Sequence, residues 1–319
     1  MKPFPEEIKI SEIRLRDTFG NFLIDNASIY EKMVVLDGDL SSSTRTNKFA
    51  IKFPKRFFNF GIAEQNMVGA AMGFAISGKI PIVSGFTLFT TGRAWEFIRM
   101  TCHDNLNVKF ITTHAGFVGE DGSSHNAFED LSIMATLPNI HILVPADNIE
   151  LESMLKFALN TNGPFYLRLP RGSFPNIHER DYEYSKEKID VIKNGTDLCI
   201  IGIGYGTSLA REYLSRLEDE FDISIKLINL STIKPFPKEM LNKELKLVNK
   251  LLVIEEHNVF CGVSSMVARN ISEEDPKSIK SIGIVETYGE SGKRDLLLEK
   301  YGFNLRTIEK KVKSLLKYE

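Results

Sequence analysis

The stretch Asn59-Phe60-Gly61-Ile62-Ala63-Glu64-Gln65-Asn66-Met67-Val68-Gly69-Ala70-Ala71-Met72-Gly73-Phe74-Ala75-Ile76-Ser77-Gly78-Lys79 organises the rest of the chain. Met67, Ala70, Ala71, Phe74 and Ala75 fall at i, i+3, i+4, i+7 and i+8, and Val68, Met72 and Ile76 add a second apolar stripe. That periodicity predicts a helix buried over most of its surface. Gly78 is placed to end it as a left-handed C-terminal cap. A carboxylate in the first turn of so apolar a helix is anomalous, because burying an ionised group without a partner is costly. Glu64 therefore requires a proton or a dedicated partner; its alternative use is to complement the positive end of the helix dipole.

Around this helix the chain alternates helical and strand-like runs. Residues from Ile13 to Ala27 have helical spacing, and Met33-Val34-Val35-Leu36 is an apolar run of strand length that opens into the polar segment Asp37 to Ser43. Ile80 to Val83 and Val108 to Thr112 read as further strands, with a helical stretch from Arg93 to Cys102 between them. This alternation predicts a mostly parallel sheet covered on both faces. Functional sites of such sheets form from the loops beyond the carboxyl ends of the strands, here Asp39 to Thr44, Gly85 to Gly92 and His114 to His125. The charged, weakly periodic segment Asn176 to Lys188 follows a Pro170-Arg171-Gly172 breaker and marks a boundary. Past it, the strand-like runs Asp197 to Ile201, Ile225 to Leu230 and Leu251 to Ile254 form a smaller second α/β unit. The expected fold is two doubly wound, mostly parallel α/β domains, residues 1–185 and 186–319. A last helix presents Ile308, Val312, Leu315 and Leu316 on one face.

With 319 residues, 43% of them hydrophobic and 26% charged, the chain can bury the core of two domains. A net charge of -2 from 40 basic and 42 acidic residues leaves no electrostatic footprint for nucleic acid, and no apolar run approaches the roughly 20 residues that span a bilayer. Neither a nucleic-acid nor a membrane partner is implied. Met1 to Glu7 lacks the apolar segment of a signal peptide, and Cys102, Cys199 and Cys261 show no close pairing or metal spacing. These features point to the cytoplasm, with no structural disulfide or zinc site.

Gly202-Ile203-Gly204-Tyr205-Gly206 lies between a strand and a helix, but the next strand ends in Asn229-Leu230-Ser231 where a dinucleotide site would place an acid; we read the glycines as tight-turn geometry. His257 reads as a structural or interface residue. The loop His114-Ala115-Gly116-Phe117-Val118-Gly119-Glu120-Asp121-Gly122-Ser123-Ser124-His125 sets two imidazoles and two carboxylates among glycine-permitted bends, groups suited to binding hydroxyls and moving protons near neutral pH. It offers no regular metal-ligand spacing. Phe86 and Phe89 have core-like helical spacing, yet they follow a strand end, where a flat ring can stack on a ligand.

Taken together, Gly61-Ile62-Ala63-Glu64-Gln65-Asn66, Gly119 to His125, Pro145-Ala146-Asp147, Glu255-Glu256-His257-Asn258 and Tyr288-Gly289-Glu290-Ser291-Gly292 resemble the transketolase family over nearly the whole chain. The resemblance covers that family's pyrimidine-binding and C-terminal domains. The domain whose Gly-Asp-Gly motif holds magnesium and the diphosphate of thiamine diphosphate has no counterpart, since Gly38-Asp39-Leu40 is not that motif. The resemblance thus implies the second subunit of a split transketolase, with no metal ligands of its own, whose diphosphate-binding partner supplies the Mg2+ site in an α2β2 heterotetramer. It implies that Glu64 hydrogen-bonds N1′ of the aminopyrimidine and promotes the tautomer that takes a proton from the thiazolium. A carboxyl in an apolar pocket suits that exchange. By position, Phe86 and Phe89 match residues packing on the aminopyrimidine, and Asp39 matches an acid near the thiazolium. His114, Asp121 and His125 match groups that bind substrate hydroxyls and assist proton transfer. Arg16, Ser43 and Arg171 match sugar-phosphate ligands. The reaction implied is two-carbon ketol transfer from a ketose (phosphate) to an aldose (phosphate). The shorter His114 loop and its Gly-Phe-Val-Gly run are also similar to deoxyxylulose-phosphate synthases, and two other readings stand beside these: the β subunit of a 2-oxo-acid dehydrogenase E1 component, and a non-catalytic assembly subunit.

Overall fold

Continuous runs of Val, Ile, Leu and Phe with no polar alternation make strands that are buried on both faces, and they assemble here into two sheets. The computed structural model describes residues 13–316; the Met1 to Glu7 segment read above lies outside them. Strands β1 (Met33–Asp37), β2 (Phe57–Asn59), β3 (Ile80–Ser84), β4 (Lys109–Ala115), β5 (His141–Leu143) and β6 (Phe165–Pro170) pair in parallel. Beyond them lie β7 (Asp190–Lys193), β8 (Leu198–Ile203), β9 (Ile225–Asn229), β10 (Thr232–Lys234), β11 (Lys250–Asn258) and β12 (Ser278–Ile284). The seven-stranded sheet runs β10-β5-β6-β4-β3-β1-β2 and the five-stranded sheet β12-β11-β8-β9-β7. Among the described residues, only the β10–β5 and β7–β9 ladders are antiparallel. Helices cover the sheets, as the alternation of elements required.

Some features depart from the sequence reading. β10 follows β9 in the chain but leaves its own sheet to close the β5 edge of the other one, pairing Thr232 with Leu143 and Lys234 with Ile142. The span Gly85 to Gly92, expected as a loop, is largely the helix Thr87–Arg93.

The segment from Asn176 to Lys188 is bolted in place rather than merely spanning a gap. The His178 side chain is buried between two carboxylates, Nδ1 lying 2.9 Å from Asp147 and Nε2 2.8 Å from Asp190. Asn229, at the end of β9, donates to Glu150 and Asp190. Glu150, His178 and Asp190 bring ligand-type atoms within 4.8 Å of one another, but both imidazole nitrogens are engaged with carboxylates. Burial opposes the charge on His178, and the hydrogen bonds with Asp147 and Asp190 outweigh it, raising its pKa to about 10. The group is an ion network joining the linker, the helix Asn148–Asn160 and the five-stranded unit. Among the described residues, no helix is long and apolar enough to cross a membrane.

Candidate active site

The site lies beyond the carboxyl ends of β1, β3 and β4, which are adjacent in the sheet. The helix Glu64–Ile76 packs Met67, Val68 and Ala71 into the core, and Gly78 adopts the left-handed conformation expected past its C-terminus. Its outer face is open: Ile62 just before the helix and Ile76 at its end are 76% and 73% exposed, so the helix is less covered than the expected burial over most of its surface. Gly73 has no neighbour near the position of a Cβ. Glu64 is buried, and the partner it requires is Arg93, whose Nη1 lies 3.0 Å from Oε1. Among the described residues this is the one hydrogen bond its carboxylate takes. The Arg93 guanidinium, half exposed, also covers the Phe89 ring at 4.4 Å from its centroid.

Phe86, just before the helix Thr87–Arg93 that follows β3, and Phe89, in that helix's first turn, hold their rings nearly parallel, 22° apart with centroids separated by 6.0 Å. His114 packs on Phe86 at 3.9 Å, and the His125 ring meets Phe89 edge-on at 5.1 Å. A register shift in β4 between Thr112 and Ala115 turns His114 into the ladder's irregular position with φ of +62°. Such a conformation is strained for a side chain with a Cβ and re-aims the ring out of the pleat. Thr113 Oγ1 lies 2.7 Å from His114 Nδ1, and Arg16 Nη1 lies 3.4 Å from Nε2. Burial, followed by the positive charge of Arg16 and Arg171, drives the His114 pKa down to about 3. The imidazole is therefore a neutral hydrogen-bonding group.

Arg16 also donates to the carbonyl oxygen of Ser43 at 3.1 Å, so that residue meets the site through its backbone. Burial, with Arg45 and Arg14 nearby, lowers the Arg16 pKa; the pocket is electropositive and suited to an anion. Arg171 donates to Asp121 Oδ2 at 2.8 Å and to the Val118 carbonyl. Asp39 stands apart at the rim. It is exposed with φ of +66°, and its carboxylate bonds Asn59. The fold thus joins Arg16, Glu64, Phe86, Phe89, His114, His125 and Arg171 with Asp121 in one cluster, and leaves the Asp39 and Ser43 side chains outside its contacts. Arg93 is the member that sequence reasoning missed, although its spacing of four from Phe89 is the one that stacks side chains on a helix.

Comparison with known proteins follows the same division. Residues 11–176 match the family "Transketolase, pyrimidine binding domain" and residues 187–308 match "Transketolase, C-terminal domain". A putative transketolase C-terminal section of Methanocaldococcus jannaschii is 39% identical over 96% of this chain and 97% of its own. A 6-deoxy-6-sulfo-D-fructose transketolase subunit of Clostridium sp. (strain MSTE9) is 30% identical, covering 95% of each. Among solved structures, a split-gene transketolase described as an inactive β4 tetramer superposes with a TM-score of 0.87 at 39% identity, covering 96% of this chain and 99% of that one.

Proposed function

The chain belongs to the transketolase family, and from that premise we propose that it is the C-terminal subunit of a split transketolase that transfers a two-carbon ketol unit from a ketose to an aldose. It divides near residue 185 into a pyrimidine-binding and a C-terminal domain. The residues present fit one half of thiamine diphosphate. The near-parallel Phe86 and Phe89 rings suit a flat heteroaromatic ring, and the buried Glu64 carboxylate, with one hydrogen bond taken, suits a ring nitrogen that carries a proton. When bound, the cofactor supplies the carbanion chemistry that carries the two-carbon unit.

The chain's own groups then have distinct work. Glu64 holds a proton at the pyrimidine nitrogen, and Phe86 and Phe89 fix the ring plane. The neutral His114, together with His125 and Asp121, holds sugar hydroxyls and relays protons, and Arg16 and Arg171 receive an anionic group at the far end of the sugar. Asp39 at the rim is proposed to face the thiazolium side. The diphosphate and Mg2+ are left to a separate diphosphate-binding subunit in an α2β2 assembly. The open apolar face at Ile62 and Ile76 supports such a partner, as does the split-gene relative described as an inactive β4 tetramer.

The observation that carries this reading is the meeting of Glu64, the two Phe rings and the His114–Arg16 pair at three adjacent strand ends. Calorimetric titration of thiamine diphosphate and magnesium tests it. The expected result is micromolar binding by this chain mixed with the diphosphate-binding subunit and none by this chain alone, with Glu64→Gln lowering turnover of the mixture by about 10²–10⁴-fold. Tight binding by the isolated chain, or full activity of Glu64→Gln, would overturn it.

A further inference from the structure

The loop that carries Asp121 and His125 belongs by sequence to the first half of the chain, yet its packing belongs to the second. Phe117 is wholly buried, and with Phe128 it joins the hydrophobic cluster of the five-stranded unit, its ring 5.0 Å from Tyr301 and 6.4 Å from Phe303. The Phe117 backbone N–H donates to Glu256 Oε1 at 2.8 Å. The other oxygen of that buried carboxyl accepts from Arg294 at 2.5 Å. The Arg294 guanidinium is in turn held over Tyr205 at 5.0 Å and Phe174 at 5.6 Å.

Further along, Ser291 Oγ donates to the Glu120 carbonyl at 2.6 Å and the Gly292 N–H to the Gly119 carbonyl at 3.4 Å. Asn126 joins the two segments, accepting from the Val118 N–H at 3.0 Å and donating to the Tyr288 carbonyl at 2.9 Å. Two glycines permit this approach. Gly116 and Gly122 both have positive φ, and a Cβ on the first would run into the Glu256 carboxyl, on the second to 3.2 Å from Ser291.

We infer that the five-stranded unit, acting through Glu256, Arg294 and Ser291, is the positioning element for the His114 to His125 loop, and that Glu256 and Ser291 set the acceptor affinity of the site without touching the sugar. The inference rests on the proposed role of Asp121 and His125 in holding that sugar. The geometry gives it a mechanism: the loop's own ties are short-range, and its fixed points near Asp121 come from Ser291 and Gly292 on one side and Arg171 on the other. Releasing one fixed point widens the distribution of Asp121 and His125 positions while leaving Glu64 and the Phe rings unmoved.

The test uses Ser291→Ala, which removes one exposed hydroxyl, and Glu256→Gln, which keeps the volume and an acceptor for Phe117 but loses the charge facing Arg294. In the full chain, amide hydrogen exchange at Phe117, Val118, Gly122 and His125 is expected to accelerate about tenfold in each variant, with the helix Glu64–Ile76 unchanged. In the complex with the diphosphate-binding subunit, with hydroxypyruvate as donor, the KM for ribose phosphate is expected to rise about fivefold or more. Turnover at saturation and the Kd for thiamine diphosphate should stay within about twofold. Unchanged loop exchange, or faster exchange with an unchanged acceptor KM, overturns the inference, and so does a parallel loss of turnover and cofactor affinity. A wild-type complex that transfers no ketol unit at all defeats the proposed function instead, and the exchange measurement still decides whether the loop is held as described.

Discussion

His114 is a residue on which three unfavourable conditions coincide: a left-handed backbone, near-complete burial, and the positive charge of Arg16 at its ring with that of Arg171 nearby. Each disfavours the imidazolium or requires its surroundings to hold it in place. With its pKa lowered from 6.5 to about 3, the native state stays unprotonated while the unfolded chain takes up the proton. His114 therefore withdraws stability progressively as pH falls from about 6.5 toward 3, and contributes no such penalty above that window. The expected outcome is a His114 imidazole 15N resonance that does not titrate between pH 5 and 8; a titration there would refute the neutral assignment. Both histidines were legible as candidates because loop imidazoles beside carboxylates have few bland uses. The Arg93–Glu64 pair was not legible, since 29 residues separate its members and only the fold brings the strand ends together.

Among the elements, the segment around His178 shows how charge can lock a linker. Because the His178 pKa is raised to about 10, its contribution to stability is fully present below the unfolded value of about 6.5 and is lost as pH rises through 10. His178→Ala leaves Asp147 and Asp190 facing each other across a buried site. The expected cost is about 3–5 kcal/mol near neutral pH, read as a shift in the urea midpoint, with the gap from wild type closing above pH 10. A constant gap would argue against a charged imidazole. In sequence this segment showed only weak periodicity and many charges, the ordinary marks of a solvated linker, so its anchoring role was hidden. The helix Glu64–Ile76 misled in the opposite sense. Its type, cap and buried carboxylate were readable, but an apolar stripe records that a face is covered without recording by which chain, and Ile76 is left in the open.

The molecule as a whole is less divisible than its two sheets suggest. The pair of α/β units was readable from the alternation of apolar runs with helical spacing. The strand β10 was not, because three residues ahead of Pro235 carry no periodicity and its partner lies on another sheet. Lys234 reinforces the join by donating to the carbonyls of Ala135 and Leu137, and His257 on β11 accepts from the Leu131 N–H at 3.1 Å. Proteolytic nicking between residues 179 and 188 is therefore expected to give two fragments that co-elute in gel filtration and melt in one transition; separation without denaturant would contradict this. The same strand also imposes an order of events on synthesis. The residues that make the rest of the seven-stranded sheet leave the ribosome first, with the backbone groups of β5 unpaired along an open edge. Sheet closure waits until Thr232 to Lys234 have been translated, so the first half of this polypeptide reaches its native form only once a good part of the second half exists.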